Sequence, residues 1–237
     1  MLICVYWHPK LVFMETLKRK IYNNILEDII YKKYPVDHIL KEKELSEKFG
    51  ISKAPVREAL IELCAEDIVK SIPRAGYRIV HYTEKDISEA TELRLMLETP
   101  VLEEIINTIS HETLKNLRAM VDKFKYAKAN SKLPLDAWWN DNIHFHVALN
   151  ALAGNNLLNS TLKILIRRQW RIIAQLFGRR ELADYLAYKP DTHLTLLRAI
   201  EKKETTKAKN ILSEDILSIS YLFTYNPGSR VIGNNLG

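Results

Sequence analysis

Cysteine is almost missing from this chain: its 237 residues include two, Cys4 and Cys64. Widely separated, they build no paired framework of the kind that staples small secreted domains, which points to a reducing cytosol. Neither reads as catalytic. Long apolar runs are lacking as well. None approaches the ~20 residues needed to span a bilayer, and the opening Met1-Leu-Ile-Cys-Val-Tyr-Trp-His-Pro9 has neither a basic n-region nor a cleavage site. A soluble, cytoplasmic protein without a membrane partner is expected. The third absence is charge asymmetry. The net charge of +6 and pI near 9.1 permit a polyanionic partner, yet residues 1–80 carry 14 Lys and Arg against 11 Asp and Glu. Subtracting these from the totals of 35 and 29 leaves 21 against 18 in residues 81–237, so each part is about +3. Only local placement of cations can locate a site. With 47% hydrophobic and 27% charged residues, the chain is globular and long enough for one large domain or two smaller ones, each with a core.

The apolar pattern of residues 17–34 sets Ile21, Ile25 and Ile29 on one stripe and Tyr22, Leu26 and Ile30 beside it, predicting a first helix that ends near Tyr34-Pro35. A shorter helix follows over about 41–49, with Leu45 and Phe49 inward. Next comes Ile51-Ser-Lys-Ala-Pro-Val-Arg-Glu-Ala-Leu-Ile-Glu-Leu63. Here Gly50 supplies a turn, Ser52 can cap the helix, and Pro55 falls in the first turn, where its missing N–H costs little. Val56, Ala59, Leu60 and Leu63 make one apolar face. That leaves Ser52, Lys53, Ala54 and Arg57 exposed at the N-terminal end, where the helix dipole adds positive potential and favours a phosphate or base edge. Taken alone, the stretch fits a DNA recognition helix or an ordinary amphipathic surface helix. Its neighbours carry the choice: the spacing is helix-turn-helix. Two β-rich runs, Ile68–Ile72 and Tyr77–Val80, flank the turn Pro73-Arg-Ala-Gly76 and predict a hairpin bearing Arg74 and Arg78, a basic wing.

The string Leu40-Lys-Glu-Lys-Glu-Leu-Ser-Glu-Lys-Phe-Gly-Ile-Ser-Lys-Ala-Pro-Val-Arg-Glu-Ala-Leu60, followed by Gly76-Tyr-Arg-Ile-Val80, resembles the GntR family of bacterial transcription regulators over about residues 17–80. The resemblance implies DNA contacts at Lys43, Ser52, Lys53, Ala54, Arg57 and the wing at Gly76. Lys53 stands where the family usually has arginine. A lysine is a point charge without the planar fork that pairs with guanine, so base readout there is altered, whereas Arg57 keeps the fork. Residues 1–13 precede anything the family requires, and with Met14 close to the first helix they read as a start-site extension or a flexible arm.

From Tyr82 onward only helices are predicted. Thr83 is an N-cap with acidic Asp86 at N3, and Ile87, Ala90, Leu93 and Leu97 are expected to face inward. Pro100 is expected to kink or interrupt this helix before Leu102, Ile105, Ile106 and Ile109. Further helices are expected over about 112–129, 136–152, 156–177, 191–202 and 205–224, separated by Ser131-Lys-Leu-Pro134, Gly154, Gly178, Pro190 and Lys203-Glu204. The fold class is therefore mainly α: a winged helix-turn-helix domain over 1–81, an all-α bundle of six or seven helices over 82–225, and a frayed tail over 226–237.

Leu93-Arg-Leu-Met-Leu-Glu98, Phe145-His-Val-Ala-Leu149 with Ala153-Gly-Asn155, and His193-Leu-Thr-Leu-Leu-Arg-Ala-Ile200 resemble the helical FCD ligand-binding domain of the FadR-type branch, over about 84–222. Asn142 and His146 lie one turn apart on one helix face. The resemblance implies a divalent metal held by Asn142, His146, His193 and Asp215. Asp215 replaces the usual histidine, which moves preference from zinc or nickel towards harder cations such as manganese. The alternative is that His146 and His193 are hydrogen-bonded core histidines. His144 points about 160° from the 142/146 stripe, and His111 at a helix start reads as surface. Arg94, the family's recurrent arginine, is a candidate for an effector carboxylate, with a salt bridge to Glu98 as the other reading. On the helix with core residues Leu162, Leu165, Ile166, Trp170 and Ile173, Arg167, Arg168 and Arg171 are mostly solvated, with Arg167 or Arg171 in reach of a pocket. Trp138 and Trp139 read as core or interface.

Together these features describe a transcription regulator, expected to repress. A homodimer would sit on a pseudo-palindromic double-stranded operator, and a small organic acid would modulate it through the helical domain. Two other readings stand beside it: a metal-free sensor of fatty acyl-CoA, and a metalloenzyme whose Asn/His/His/Asp site activates water.

Overall fold

The computed structural model describes residues 16–35, 37–130, 135–177 and 192–219, and their side chains except those of 124–130 and 135–139. The expectations for residues 1–14, Ser131–Pro134, Trp138, Trp139, Gly178, Pro190 and 226–237 lie outside that description. Contacts divide the chain into two compact units between His81 and Tyr82.

The first unit orders its elements as α1 (Leu17–Ile30), β1 (Ile39–Leu40), α2 (Glu42–Phe49), α3 (Lys53–Ala65), β2 (Val69–Ile72) and β3 (Gly76–Ile79). The Thr16 hydroxyl caps α1 by accepting from the Arg19 N–H. The apolar stripe of α1 is buried as its periodicity predicts, with Ile25 fully so. It packs on the inner face of α3, where Val56, Ala59, Leu60 and Leu63 are all fully buried. Gly50 joins α2 to α3 in the left-handed region at φ +66°, which a side chain would strain. Sheet order is β1-β3-β2, antiparallel throughout, with Leu40 opposite Tyr77 and Ser71 opposite Tyr77 on the other edge. The two-residue β1 has no periodicity to announce it. It is recruited because β3 has a second hydrogen-bonding edge to fill.

The second unit shows six helices among its described residues: α4 (Glu84–Thr108), α5 (His111–Asn130), α6 (Leu135–Ala151), α7 (Asn156–Leu176), α8 (Thr192–Glu201) and α9 (Thr205–Leu217). A full capping box between Thr83 and Asp86 starts α4. The helix then runs unbroken through Pro100. Proline there removes the hydrogen bond to the Met96 carbonyl, and both residues lie on the exposed face, where water can serve that oxygen. The core joins Leu102, Ile105 and Ile106 of α4 to Leu117 of α5, Phe145 and Leu149 of α6, Leu197 and Ile200 of α8, and Leu212 and Ile216 of α9.

The N-terminal half of α4 faces inward differently from its apolar pattern. Ile87 and Ala90 are buried as expected, but Leu93 is 42% exposed and Leu97 only half-buried. Thr91, Arg94 and Glu98 take the inner stripe instead. Apolar periodicity misjudges the face because the interior here is polar and internally paired.

Candidate functional site

In the first unit exposed cations stand at the start of α3, on α2 and in the hairpin. Ser52 is the N-cap in extended backbone, and its side chain makes no capping hydrogen bond. Lys53, Ala54 and Arg57 are exposed on the first two turns. Lys43 projects from α2 with only a loose 3.9 Å approach to Glu47. Arg74 sits exposed in the hairpin turn with φ +64°, a left-handed conformation that non-glycine residues rarely adopt. Arg78 on β3 stands opposite Lys70 on β2, so the wing carries paired cations. Gly76 has a packing reason of its own: at φ +136°, a Cβ would lie 2.4 Å from the Leu40 carbonyl oxygen and 2.9 Å from Ile39 Cγ2. Only glycine lets β1 approach β3 there.

Arg57 is not a loose cation. Its Nε donates to Glu42 Oε1 at 2.9 Å and its Nη2 to Glu42 Oε2 at 2.7 Å, a side-on bidentate pair. The Tyr77 hydroxyl also approaches Glu42 Oε1, at 3.5 Å. The Arg57 bonds hold the Glu42 carboxyl below its ordinary range against the opposing effect of partial burial. Nothing in the periodicity of α2 singles out Glu42, because its partner lies on the next helix.

In the second unit three elements converge on a largely buried polar cluster. The ligand atoms of His146 (α6), His193 (α8) and Asp215 (α9) lie within 4.8 Å of one another. His146 is fully buried. Its Nε2 is 3.1 Å from Asp215 Oδ2, and its Nδ1 is 2.7 Å from Glu98 Oε2. His193 Nε2 is 3.6 Å from the same Asp215 oxygen, and its ring stacks on Phe145 with centroids 4.0 Å apart. The other Asp215 oxygen accepts from the Thr192 hydroxyl. Asn142 lies one turn before His146, 4% exposed, and its Oδ1 has no hydrogen-bond partner among the described residues. Two imidazoles and a carboxylate make a donor set that suits a divalent cation, and the orphaned buried carbonyl of Asn142, one turn before His146 on α6, is a candidate fourth donor. His144 is exposed on the opposite side of α6, and His111 is exposed at the start of α5.

Arg94, 1% exposed, is the largest of the fully buried side chains. Its Nε donates to Glu98 Oε1 at 2.7 Å and its Nη1 to Gln169 Oε1 at 2.7 Å, while Gln169 donates to Thr91. The salt-bridge reading of Arg94 is thus present in the structure. Its Nη2 nonetheless has no partner among the described residues. Burial pushes the Glu98 carboxyl up, but Arg94 and His146 outweigh it and hold it at about 2. Burial likewise works to neutralise His146, yet Glu98 and Asp215 pull its pKa above the ordinary value. Of the α7 arginines, Arg167 is exposed, Arg168 lies over the Tyr82 ring with 5.6 Å to the centroid, and Arg171 is buried.

Sequence reasoning missed Glu98 as the hub of this cluster, together with Gln169, Asn150 and Thr192. Glu98 was visible as an i,i+4 partner of Arg94, but its second bond, to His146, crosses 48 residues. No helix among the described residues is long and apolar enough to cross a membrane.

Comparison with known proteins matches both units. Residues 17–79 match the model of the bacterial regulatory proteins of the gntR family, and residues 89–217 match that of the FCD domain. The HTH-type transcriptional repressor GlaR of Escherichia coli K12 is 26% identical over 204 residues, covering 83% of this chain and 91% of its own. The Uxu operon regulator of Haemophilus influenzae is 25% identical over 248 residues, covering 90% and 92%. Among solved structures, E. coli McbR/YncC superposes with a TM-score of 0.64 at 20% identity, covering 90% of this chain and all of that one, a likeness of fold. With one match on the winged helix-turn-helix and the other spanning the helical bundle, the chain belongs to the GntR family of bacterial transcription regulators, in its FCD-type branch: a DNA-binding regulator with an effector domain, not an enzyme.

Proposed function

We propose that this regulator represses transcription as a homodimer on a pseudo-palindromic operator, and that a small carboxylate metabolite bound with a divalent metal in the helical unit weakens its hold on DNA. The DNA contacts in this reading are Lys43, Ser52, Lys53, Ala54, Arg57, Arg74 and Gly76; the metal is held by Asn142, His146, His193 and Asp215, and Arg94 meets the effector. The observation that carries the effector half is the cluster of His146, His193 and Asp215, with ligand atoms within 4.8 Å. Glu98 on Nδ1 leaves His146 Nε2 to ligate, and Thr192 fixes one Asp215 oxygen and leaves the other turned to the histidines. The bound metal would supply a positive centre for a carboxylate. A buried Arg94 Nη2 without a partner among the described residues offers that carboxylate a second cation. Exposed Leu93 and Met96 on α4 and Leu157 and Ile164 on α7 support self-association, since these two helices pack together and both present apolar side chains outward.

One observation favours a metal-free sensor instead: both ring nitrogens of His146 already have carboxylate partners. The test is elemental analysis of the purified full chain, followed by operator binding with and without chelator across a panel of small carboxylates and acyl-CoA thioesters. Bound metal near one per chain, lost in His146→Ala, and a carboxylate that releases DNA only in the metal-loaded protein are expected. Absence of metal after incubation with zinc, nickel or manganese, with release by an acyl-CoA, overturns the metal reading. Operator affinity indifferent to every compound overturns effector control.

A further inference from the structure

We propose that Glu42 is a specificity-determining residue for DNA, acting through Arg57 without touching a base itself. This rests on the placement of Arg57 at the DNA in the preceding section. A guanidinium carries five N–H groups in one plane. Glu42 occupies the side face of that plane, taking Nε–H and one hydrogen of Nη2 at 2.9 and 2.7 Å. Three hydrogens remain, two on Nη1 and one on Nη2, and the end face is made by the outward one of each nitrogen. That outward pair has the spacing to donate to O6 and N7 of one guanine. An arginine so clasped is biased against swinging towards a phosphate or a neighbouring base, and its fork points along the long axis of its own side chain.

The clamp is itself anchored. Glu42 opens α2, its side chain is 22% exposed against 59% for Arg57, and it is flanked by the Tyr77 hydroxyl from β3. Three elements of the winged helix thus meet at one carboxylate. Lys53, one turn before Arg57 on α3, adds attraction that keeps Glu42 ionised. Glu42 also sets an anionic charge beside a surface that must accept phosphates, a cost in general affinity that only gained selectivity offsets. The two effects have opposite signs, which makes them separable.

The experiment uses the full-length protein and an operator enriched by the wild type from a random duplex pool. Binding is measured by fluorescence anisotropy to that operator, to each single base-pair variant and to a random duplex, over a range of salt. For Glu42→Gln the expected result is a rise in affinity for random duplex. At the same time discrimination at one G·C pair per half-site falls, by roughly 10-fold, within the range of one bidentate base contact. Arg57→Ala loses discrimination at the same pair, and the double variant loses no more. Glu42→Asp, charged but one methylene shorter, keeps the salt slope and loses part of the discrimination. If Arg57→Ala leaves every base preference intact, the placement of Arg57 at a base is overturned. If Arg57→Ala removes the preference and Glu42→Gln retains it, the role of Glu42 is overturned while Arg57 stands. A uniform loss of affinity in Glu42→Gln accompanied by a lower unfolding temperature assigns Glu42 to folding alone and overturns the proposal as well.

Discussion

Each unit of this protein holds an arginine clasped by a glutamate, and the two pairs live in opposite surroundings. Arg57 and Glu42 meet at 2.7 Å with side chains 59% and 22% exposed, whereas Arg94 and Glu98 meet at the same distance with 1% and 0%. At the surface, water and salt screen the attraction, so the pair contributes little cohesion and mainly supplies direction. Inside, both charges have lost their hydration and must be satisfied by protein alone. That is why the second pair does not stop at two residues: His146 takes the other Glu98 oxygen, the Asn150 amide donates to it at 3.3 Å, and Gln169 takes Arg94 Nη1. Identical chemistry orients a side chain in one setting and holds helices together in the other.

The sharpest way to break that contrast is to remove one charge from the inner pair. Glu98→Gln leaves Arg94 and a His146 that leans towards its protonated form without their shared anion. It is expected to cost the helical unit about 3–5 kcal/mol. Urea unfolding of the chelator-treated protein, followed by circular dichroism, measures this. Adding Arg94→Met to Glu98→Gln removes the stranded cation and should recover part of the loss, a non-additivity expected of residues in contact. A loss too small to resolve would mean that water reaches the cluster and that the two pairs differ less than their burial says.

How much of this was legible in the sequence follows from the same contrast. The apolar faces of α1 and α3, the capping box at Thr83 and the helix-turn-helix spacing all lie within one helix or one turn, where periodicity and end chemistry determine the outcome. Lys53, Arg57, His146 and Asp215 could be named because local strings carried a family resemblance. The clamp on Arg57 and the hub at Glu98 could not, since each depends on a partner brought from another helix. The inner stripe of α4 was misjudged for a related reason: Leu93 and Leu97 read as the inward positions, whereas Thr91, Arg94 and Glu98 take that stripe because His146 and Gln169 arrive from other helices to satisfy the charged pair. Short β1 was silent because two residues have no period. Gly76 was noticed as a wing glycine, but the carbonyl of Leu40 that demands it belongs to that silent strand.

Asp28 lies between the two extremes and should respond in between. Its side chain is 10% exposed, while its partners Lys33 and Lys48 are 55% and 48% exposed, both at 2.7 Å. Burial works to raise the Asp28 carboxyl, but the two lysine hydrogen bonds outweigh it and lower the pKa. A depressed folded-state pKa adds stability that is present above the unfolded value of about 3.9 and is lost as pH falls through the folded one. Asp28→Asn should therefore lower the stability of the winged unit at neutral pH by about 1 kcal/mol, discounted for the exposed lysines. It should also flatten the acid limb of stability against pH below about 4. Unfolding midpoints measured from pH 7 downward check both. An unchanged acid limb would place the titrating carboxylates elsewhere.

The smallest effect is expected where both partners face water. Arg118 on α5 and Glu201 on α8 meet at 3.0 Å with side chains 37% and 39% exposed, and the Arg118 bond holds the Glu201 carboxyl below its ordinary range. The contact is within hydrogen-bond range and only 0.3 Å longer than that of the inner pair (3.0 against 2.7 Å), so distance alone would rank the two close together. Exposure ranks them apart, because each ion keeps most of its hydration and ordering two long side chains uses up the modest attraction. Arg118→Ala should leave the thermal midpoint unchanged within error at physiological salt, and raising the salt should not separate variant from wild type. If instead it falls as far as Asp28→Asn, then exposure is not what grades these pairs. Bridging between two helices would then be the shared cause, since Arg118–Glu201, Asp28–Lys48 and Glu98–His146 all join one helix to another.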